Sequence, residues 1–500
     1  MKEIVKKKWL GKYDLETIVL GIILYGIILT YLYQFSQIVG KYEPWTTDEF
    51  FYYTEAKAIS AYNNYQTPAS LDGNTSYIGD FGFHGVSYAL KDGILAKLFF
   101  QSQDPPLLWN NVLTCFAIIV IVLLFKPLSF KTRLKIAILI SSHYVLYMSS
   151  FSYMQETIHY LLAVIALWYL HKFYAYNYTN ANQQNKYIYY YLIIILIATT
   201  FRYGWFIWGL GLLPLATDLK SFIKWGFVAF GLLVFGVFIS RYIAAPYPYD
   251  NMVADRIIRE EKFALLNSIK IVWDEFTNNV QLYFSPAETH TTTIMRYLLF
   301  VLLITSTYYS IKKRNKFTIA CTIISWGYFM AELAFYHVYW GYDERALAVL
   351  NPILAFSLIG SCNPYFFYPI MIIQLFVLPG VVSETKARNE NAIAVNAKTP
   401  ERLEREAAYN RIKDLITDEK RVVIATDVQM VVHGTANYFI NFPLINSKGY
   451  PIHYRLHMYG TDLKGTNQPD YILNLHLDPA ADKNQLIYSD KWIYLYKVPK

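Results

Sequence analysis

Adjacent carboxylates open the chemically suggestive part of this chain, Asp48 and Glu49 in Trp45-Thr-Thr-Asp-Glu-Phe-Phe-Tyr-Tyr. The aromatic residues behind them suit a membrane–water interface. A carboxylate beside such a low-dielectric surface is placed to act as a general base, because burial tunes its basicity. The plainer reading of an acidic pair is a solvated loop. Glu156, in Ser152-Tyr-Met-Gln-Glu-Thr, begins an apolar run. An acid there is costly against lipid, so it faces a cavity or a partner. Arg202 sits among Phe201, Tyr203 and Trp205, where a lone guanidinium either snorkels to the interface or binds phosphate. Arg345 closes His337-Val-Tyr-Trp-Gly-Tyr-Asp-Glu-Arg. His337 and Tyr339 there are candidate cavity or acceptor contacts, and Asp343 or Glu344 can neutralise the arginine. His84, in the glycine-rich Gly79-Asp-Phe-Gly-Phe-His-Gly, is a ligand contact or an ordinary loop histidine.

Apolar runs must position these residues. Of the 500 residues, 55% are hydrophobic and 16% charged, against about a quarter charged in soluble proteins. That composition argues against a disordered chain, a nucleic-acid binder and an ordinary soluble enzyme. Crossing a bilayer takes about 20 apolar residues. Candidate spans are Leu15–Phe35, Leu108–Phe125, Ile136–Phe151, Thr157–Phe173, Tyr187–Phe201, Tyr203–Ala216, Phe222–Ser240, Ile294–Ile311, Phe317–Phe335, Ala346–Gly360 and Phe366–Val382, about eleven crossings. The first resembles an uncleaved signal anchor, with Lys6, Lys7 and Lys8 before it. Keeping Tyr187–Phe201 apart from Tyr203–Ala216 places Lys126/Lys131/Arg133/Lys135, Lys220/Lys224 and Lys312/Lys313/Arg314/Lys316 on the same side as the N-terminus, as the positive-inside bias requires. The net charge of +8 thus marks mostly the cytoplasmic side and implies no nucleic-acid partner.

This topology predicts a polytopic α-helical membrane part over 1–382, with outward loops at about 36–107 and 241–293. A small α/β or α+β extracytoplasmic domain follows over 383–500. Its helix begins at Thr399-Pro400-Glu401, with an apolar face of Leu403, Ala407, Ile412 and Leu415. Strands are expected at Arg421–Thr426, Tyr471–Leu477 and Trp492–Val498. Asp48, Glu156, Arg202, His337 and Arg345 all fall at outer span ends. Acids and arginines at one membrane face suit a reaction between an anionic lipid-linked donor and an acceptor hydroxyl. Asp48, Glu49 and Glu156 offer oxygen atoms of the kind a divalent metal takes, yet no ligand cluster requires one, so the cofactor stays open. Cys115, Cys321 and Cys362 lack metal or disulfide spacing and read as small buried hydrophobes.

The chain resembles the GT-C class of membrane glycosyltransferases, whose relatives include protein O-mannosyltransferases and lipid A aminoarabinose transferases. The resemblance rests on motifs in family order over roughly residues 10–382. These are Asp48-Glu49 with Tyr52-Tyr53 and Ala56, then Phe83-His84-Gly85, Met154-Gln-Glu156-Thr, Thr199-Thr-Phe-Arg202, and Arg345 with Asn351-Pro352. It implies an inverting transfer of sugar from a polyprenyl-phosphate carrier to a lipid, glycan or protein acceptor, at the outer face of a membrane that composition suggests is bacterial and cytoplasmic. Asp48 would be the catalytic base, and Glu49 would support it or bind acceptor. Glu156 would line the cavity, while Arg202 and Arg345 would hold the lipid phosphate. Relatives often carry a lysine or arginine where His84 and Gly85 stand. A lipid-linked polysaccharide polymerase or ligase is the alternative enzyme. A lipid or sugar flippase is the non-enzymatic one, disfavoured because the chain shows neither paired repeats nor midplane charges.

Overall fold

The computed structural model describes residues 14–42, 44, 47–65, 68–70, 86–99, 105–175, 181–238, 264–287, 289–335, 347–395, 397, 399–429, 442–457, 469–474 and 486–498. Helix α1 (Leu15–Ile38) starts at an Asp14 cap that accepts from the Thr17 amide at 2.9 Å. One face of α1 buries Leu20, Leu24, Tyr31 and Ile38, while Ile22, Tyr25, Leu32 and Tyr33 stand exposed on the other. A helix whose exposed face is this apolar is suited to lipid rather than water. Among the described residues, six helices are long and apolar enough to cross a membrane: Leu15–Ile38, Leu107–Leu124, Leu219–Gly236, His290–Lys313, Lys316–Phe335 and Pro364–Ala394. Shorter apolar helices cover Lys186–Phe201, Gly204–Leu215 and Leu350–Cys362.

After α1 come α2 (Thr47–Tyr62), the two-residue strand β1 (Ala69–Ser70) and α3 (Val86–Phe99). The bundle continues with α4 (Pro105–Leu124), α5 (Phe130–Ser141), α6 (Tyr144–Ser150), α7 (Glu156–Ala175) and α8 (Ala181–Phe201). At its centre lies α7, with Tyr160, Ala163, Val164, Ala166, Leu167 and Leu170 fully buried. A helix enclosed on this scale is apolar nearly all round. The segments Tyr187–Phe201 and Tyr203–Ala216 form two helices that break at Arg202, which adopts extended backbone. The second is a thirteen-residue 3-10 helix, Tyr203–Leu215, unusually long for a winding normally used in single turns. Helices α9 (Leu219–Phe238), α10 (Leu265–Phe284), α11 (His290–Lys313) and α12 (Lys316–Phe335) follow. Then α13 (Leu350–Ala355) widens into a π-helical stretch, Phe356–Cys362, before α14 (Phe367–Val395).

Electrostatics distinguish the two ends of this bundle. At one end, Lys131 bonds Asp14 and Glu16, and Lys135 reaches Glu16 at 2.6 Å. The Lys131 ammonium, with the Thr17 contacts, holds the Asp14 carboxyl well below the usual carboxylate range. Tyr368 of α14 also donates to Glu16 at 2.6 Å, so one acid ties α1, α5 and α14 together. Lys313 closes the same end by donating to the Cys362 carbonyl. The nearby Gly360 lies against Leu128 and Ile136. Cys321 and Cys362 are buried and Cys115 half-buried, and all three are unbridged.

Beyond α14, α15 (Pro400–Leu415) is capped by Thr399 as the sequence predicts. Its buried face differs from the expected one. Ala408, Tyr409 and Ile412 are buried, together with Arg402, whereas Leu403 is 49% exposed and Ala407 faces outward. The helix is turned by its ring contact, Tyr409 against Phe442 at 4.7 Å. An Arg402–Glu406 pair at 2.6 Å satisfies the guanidinium Nε on that side. The strands are β2 (Val422–Gln429), β3 (Ile452–His457), β4 (Tyr471–Asn474), β5 (Leu486–Ser489) and β6 (Tyr494–Lys497). They form a six-stranded mixed sheet in the order β1-β3-β2-β4-β6-β5. Pairing is parallel from β1 to β4 and antiparallel from β4 to β5.

Strand β1 comes from the segment between α2 and α3, some 380 residues before its partner in sequence. Ala69 and Ser70 pair with Tyr454 and Arg455, and the Tyr454 amide donates to the Pro68 carbonyl at 2.8 Å. Opposed strand residues lie about 4.8 Å apart, within the roughly 4.4–6.8 Å that a disulfide spans. A Ser70→Cys/Arg455→Cys pair should therefore cross-link under mild oxidation. Proteolytic fragments cut between the two positions should then stay joined on a gel until reduced; separation without reductant would count against the pairing.

Candidate functional site

The end of the bundle away from Lys131 and Lys313 brings together Glu49, Glu156 and Arg202 among the polar residues singled out by the sequence. The turn Phe151–Gln155, between α6 and α7, organises them. Asn110 of α4 is fully buried and donates to the Ser152 carbonyl at 2.8 Å and the Met154 carbonyl at 2.5 Å. Its oxygen accepts from Thr157 at 2.9 Å. Beside it, Asn111 donates to the Ser150 carbonyl at 2.5 Å. Backbone carbonyls that water would satisfy in a loop are met here by amide side chains.

Glu49 lies on α2, 1% exposed. Tyr42 donates its hydroxyl to Glu49 Oε1 at 2.8 Å, and the Tyr153 amide donates to the same oxygen at 3.0 Å. The rings of Tyr42 and Tyr153 stack at 5.8 Å. Arg388 of α14 is close enough to act electrostatically on Tyr42 and donates to the Met148 carbonyl at 3.2 Å. Glu49 therefore fastens the start of α2 to the turn before α7. Asp48 lies in the first turn of α2, and its side chain is outside the described residues.

Glu156 begins α7 and is 4% exposed. It stands 3.7 Å from Arg202 Nη2, and Ser149 donates to its other oxygen at 3.4 Å. At 3.7 Å the pair attracts without a hydrogen bond between these atoms. The Arg202 side chain keeps 29% exposure, so the pair is only partly closed off. Three residues along α7, on the same helical face, stands His159. The Trp205 indole donates to His159 Nδ1 at 3.0 Å, and Tyr88 bonds His159 Nε2. Trp205 stacks on Trp208 at 4.6 Å, while Tyr88 packs edge-on against Tyr52 and Phe201. Ser87 and Thr200 bond at 2.6 Å, fixing α3 to α8 beside them.

A second polar cluster joins α3 to the same turn. Lys91 reaches Gln155 at 2.7 Å and Asp92 at 2.9 Å, and Gln155 donates to Asp92 Oδ2 at 2.9 Å. Asp92 is fully buried. Among the described residues no group of three or more His, Cys, Asp or Glu side chains is arranged to hold a metal ion.

The structure thus joins Glu49, Glu156 and Arg202 through one turn. His84, His337, Tyr339 and Arg345 lie outside the described residues. Sequence reading missed Tyr88, Lys91, Asp92, His159, Trp205 and Arg388. The three-residue spacing from Glu156 to His159, and from Arg202 to Trp205, was the available signal for two of them.

No protein-family model matches the chain, and no curated protein matches it. Solved structures do. ArnT from Cupriavidus metallidurans bound to undecaprenyl phosphate superposes with a TM-score of 0.50 at 10% identity, covering 94% of this chain and 97% of that one. The Archaeoglobus fulgidus oligosaccharyltransferase complex with Zn and sulfate gives 0.48 at 13% identity. That match covers 85% of this chain, which spans 62% of the oligosaccharyltransferase's length. The chain shares the GT-C-like fold of ArnT, with apolar helices long enough to cross a membrane and a small C-terminal sheet.

Removing the Asn110 amide tests the organising role of the turn. Asn110→Leu orphans the Ser152 and Met154 carbonyls, at about 1–3 kcal/mol each. Thermal unfolding of the detergent-solubilised protein should drop by several degrees. A melting temperature equal to wild type would mean the turn is held by something else.

Proposed function

We propose that this protein transfers a sugar from a polyprenyl-phosphate-linked donor to an acceptor hydroxyl at the outer face of the membrane, with inversion at the sugar. The observation that carries this reading is the pairing of buried Glu156 with partly exposed Arg202 at the turn that also holds Glu49, in a fold that matches undecaprenyl-phosphate-bound ArnT along nearly all of both chains. A partly exposed guanidinium, next to a carboxylate and among aromatic rings, suits a phosphodiester whose leaving phosphate gathers charge as the bond breaks. In this mechanism the acceptor oxygen attacks the anomeric carbon while the carbon–oxygen bond to phosphate breaks. The hydroxyl proton passes to Asp48, and polyprenyl phosphate leaves against Arg202, with Arg345 as its second cation. Glu49, engaged by Tyr42 and the Tyr153 amide, holds the start of α2 and hence Asp48 in place.

The same reading takes the chain across the membrane about eleven times. It assigns residues 1–382 to the catalytic membrane part and 383–500 to an extracytoplasmic domain, with the N-terminus cytoplasmic. Two features support that orientation. The lysine-rich helix ends share one end of the bundle, and β1, from the first loop, pairs with the tail sheet, which requires loop and tail to lie on one side.

Asp48→Asn should cut sugar transfer from labelled polyprenyl-phosphate donors in membranes by about a hundredfold or more, the scale of general-base catalysis, with normal expression and insertion. Undiminished transfer would remove Asp48 as the base. Arg202→Ala should raise the donor KM about tenfold, the scale of a charge-assisted hydrogen bond, and leave the acceptor KM nearly unchanged. An acceptor-only defect would refute the phosphate role.

Orientation can be measured separately. Single cysteines at Tyr62 and Lys491 should react with a membrane-impermeant maleimide on intact cells, and one at Arg314 should react only after permeabilisation. The opposite pattern would invert the topology.

A further inference from the structure

The Tyr88–His159–Trp205 chain has a direction set by hydrogen-bond chemistry. An indole N–H is a donor only. Since Trp205 Nε1 donates to His159 Nδ1 at 3.0 Å, that nitrogen carries a lone pair and no proton. The imidazole proton therefore sits on Nε2, the atom that faces the Tyr88 hydroxyl. Tyr88 must accept from His159, so its own O–H proton points elsewhere. Among the described residues His159 is the one hydrogen-bond partner of that hydroxyl.

The surroundings indicate what the spare donor meets. Tyr88 is 2% exposed, and Arg202, Glu156 and Asp92 lie close enough to act on it electrostatically. Its ring is clamped between Tyr52 and Phe201, with centroids at 5.3 and 5.1 Å, so the hydroxyl cannot swing away. His159 is equally confined, hydrogen-bonded edge to edge with Trp205, which is itself stacked on Trp208 at 4.6 Å. A fixed neutral donor beside a partly exposed guanidinium matches the geometry for an anionic oxygen, which accepts from both.

We propose that His159 is a positioning residue: locked in one tautomer by Trp205, it makes the Tyr88 hydroxyl a dedicated hydrogen-bond donor to the phosphate of the lipid carrier, alongside Arg202. The assignment rests on the donor site proposed above. It accounts for a neutral histidine next to an arginine, since a protonated ring would present an N–H to the Trp205 N–H. It also accounts for the tryptophan, whose indole removes the alternative tautomer in which Tyr88 would spend its proton on the ring.

Binding of undecaprenyl phosphate to the full-length, detergent-solubilised protein separates this inference from the function it rests on. Wild type should bind, and Tyr88→Phe should bind about tenfold more weakly, the scale of losing one hydrogen bond to a charged group. His159→Leu should weaken binding to a similar degree, and the Tyr88→Phe/His159→Leu double variant no further, because the histidine acts through the tyrosine. His159→Gln, whose amide N–H can replace Nε2–H, should recover most of the loss. Trp205→Phe frees the tautomer while keeping a ring stacked on Trp208, and should fall between wild type and Tyr88→Phe. Melting temperatures for every variant separate misfolding from lost affinity. Wild-type affinity in Tyr88→Phe would overturn the inference while leaving the donor site standing. So would additive losses in the double variant, or His159→Gln binding as weakly as His159→Leu. Failure of the wild type to bind undecaprenyl phosphate would overturn both.

Discussion

Much of the site hangs from a single five-residue turn, Phe151–Gln155, and that turn hangs from Asn110. An apolar bundle offers no water to satisfy backbone carbonyls where a helix stops and another begins. Asn110 supplies donors to two of them and takes the Thr157 hydroxyl in return. From the turn so held, the Tyr153 amide reaches Glu49, Gln155 reaches Asp92, and Glu156 reaches Arg202. One turn further into α7, His159 meets Trp205 and Tyr88. Helices α2, α3, α4, α7 and α8 are thereby set against one another by polar contacts whose loss has no solvent substitute.

Such an arrangement favours rigidity at the place where charges are most expensive. Three of the buried acids are each engaged twice: Glu49 by a phenol and an amide, Glu156 by a hydroxyl and a guanidinium, Asp92 by an ammonium and a carboxamide. None relies on a single long-range attraction. Unpaired, any of them would shift toward the neutral form or draw in water. Preorganised dipoles of this kind are what a reaction that develops charge on a phosphate oxygen needs, since they need no reorganisation as the bond breaks.

Much of this was legible in the sequence, for reasons that also explain the remainder. Apolar runs reveal helices because burying backbone in lipid admits few alternatives, and charge scarcity exposed Glu156 and Arg202 as exceptions. The break at Arg202 followed from counting lysines. The cap at Thr399 and strands β2, β4 and β6 followed from local chemistry. By contrast, Asn110, Tyr88 and Trp205 look like ordinary members of apolar helices. Their importance comes from partners 42, 71 and 46 residues away. The face of α15 was misjudged because Leu403 and Ala407 fit a helical period, while the domain buries the Tyr409 side instead. Pairing of β1 with β3 is non-local by hundreds of residues, beyond the reach of any pattern within either segment.

The 3-10 winding of Tyr203–Leu215 governs more than the length of that segment. Side chains three residues apart eclipse one another in such a winding, whereas in an α-helix they are offset by about 60°. Trp205 and Trp208 are three apart, both fully buried, and their rings stack at 4.6 Å. The tighter winding thereby makes one slab of two tryptophans, and the direction in which the Trp205 N–H points is set by the helix that carries it.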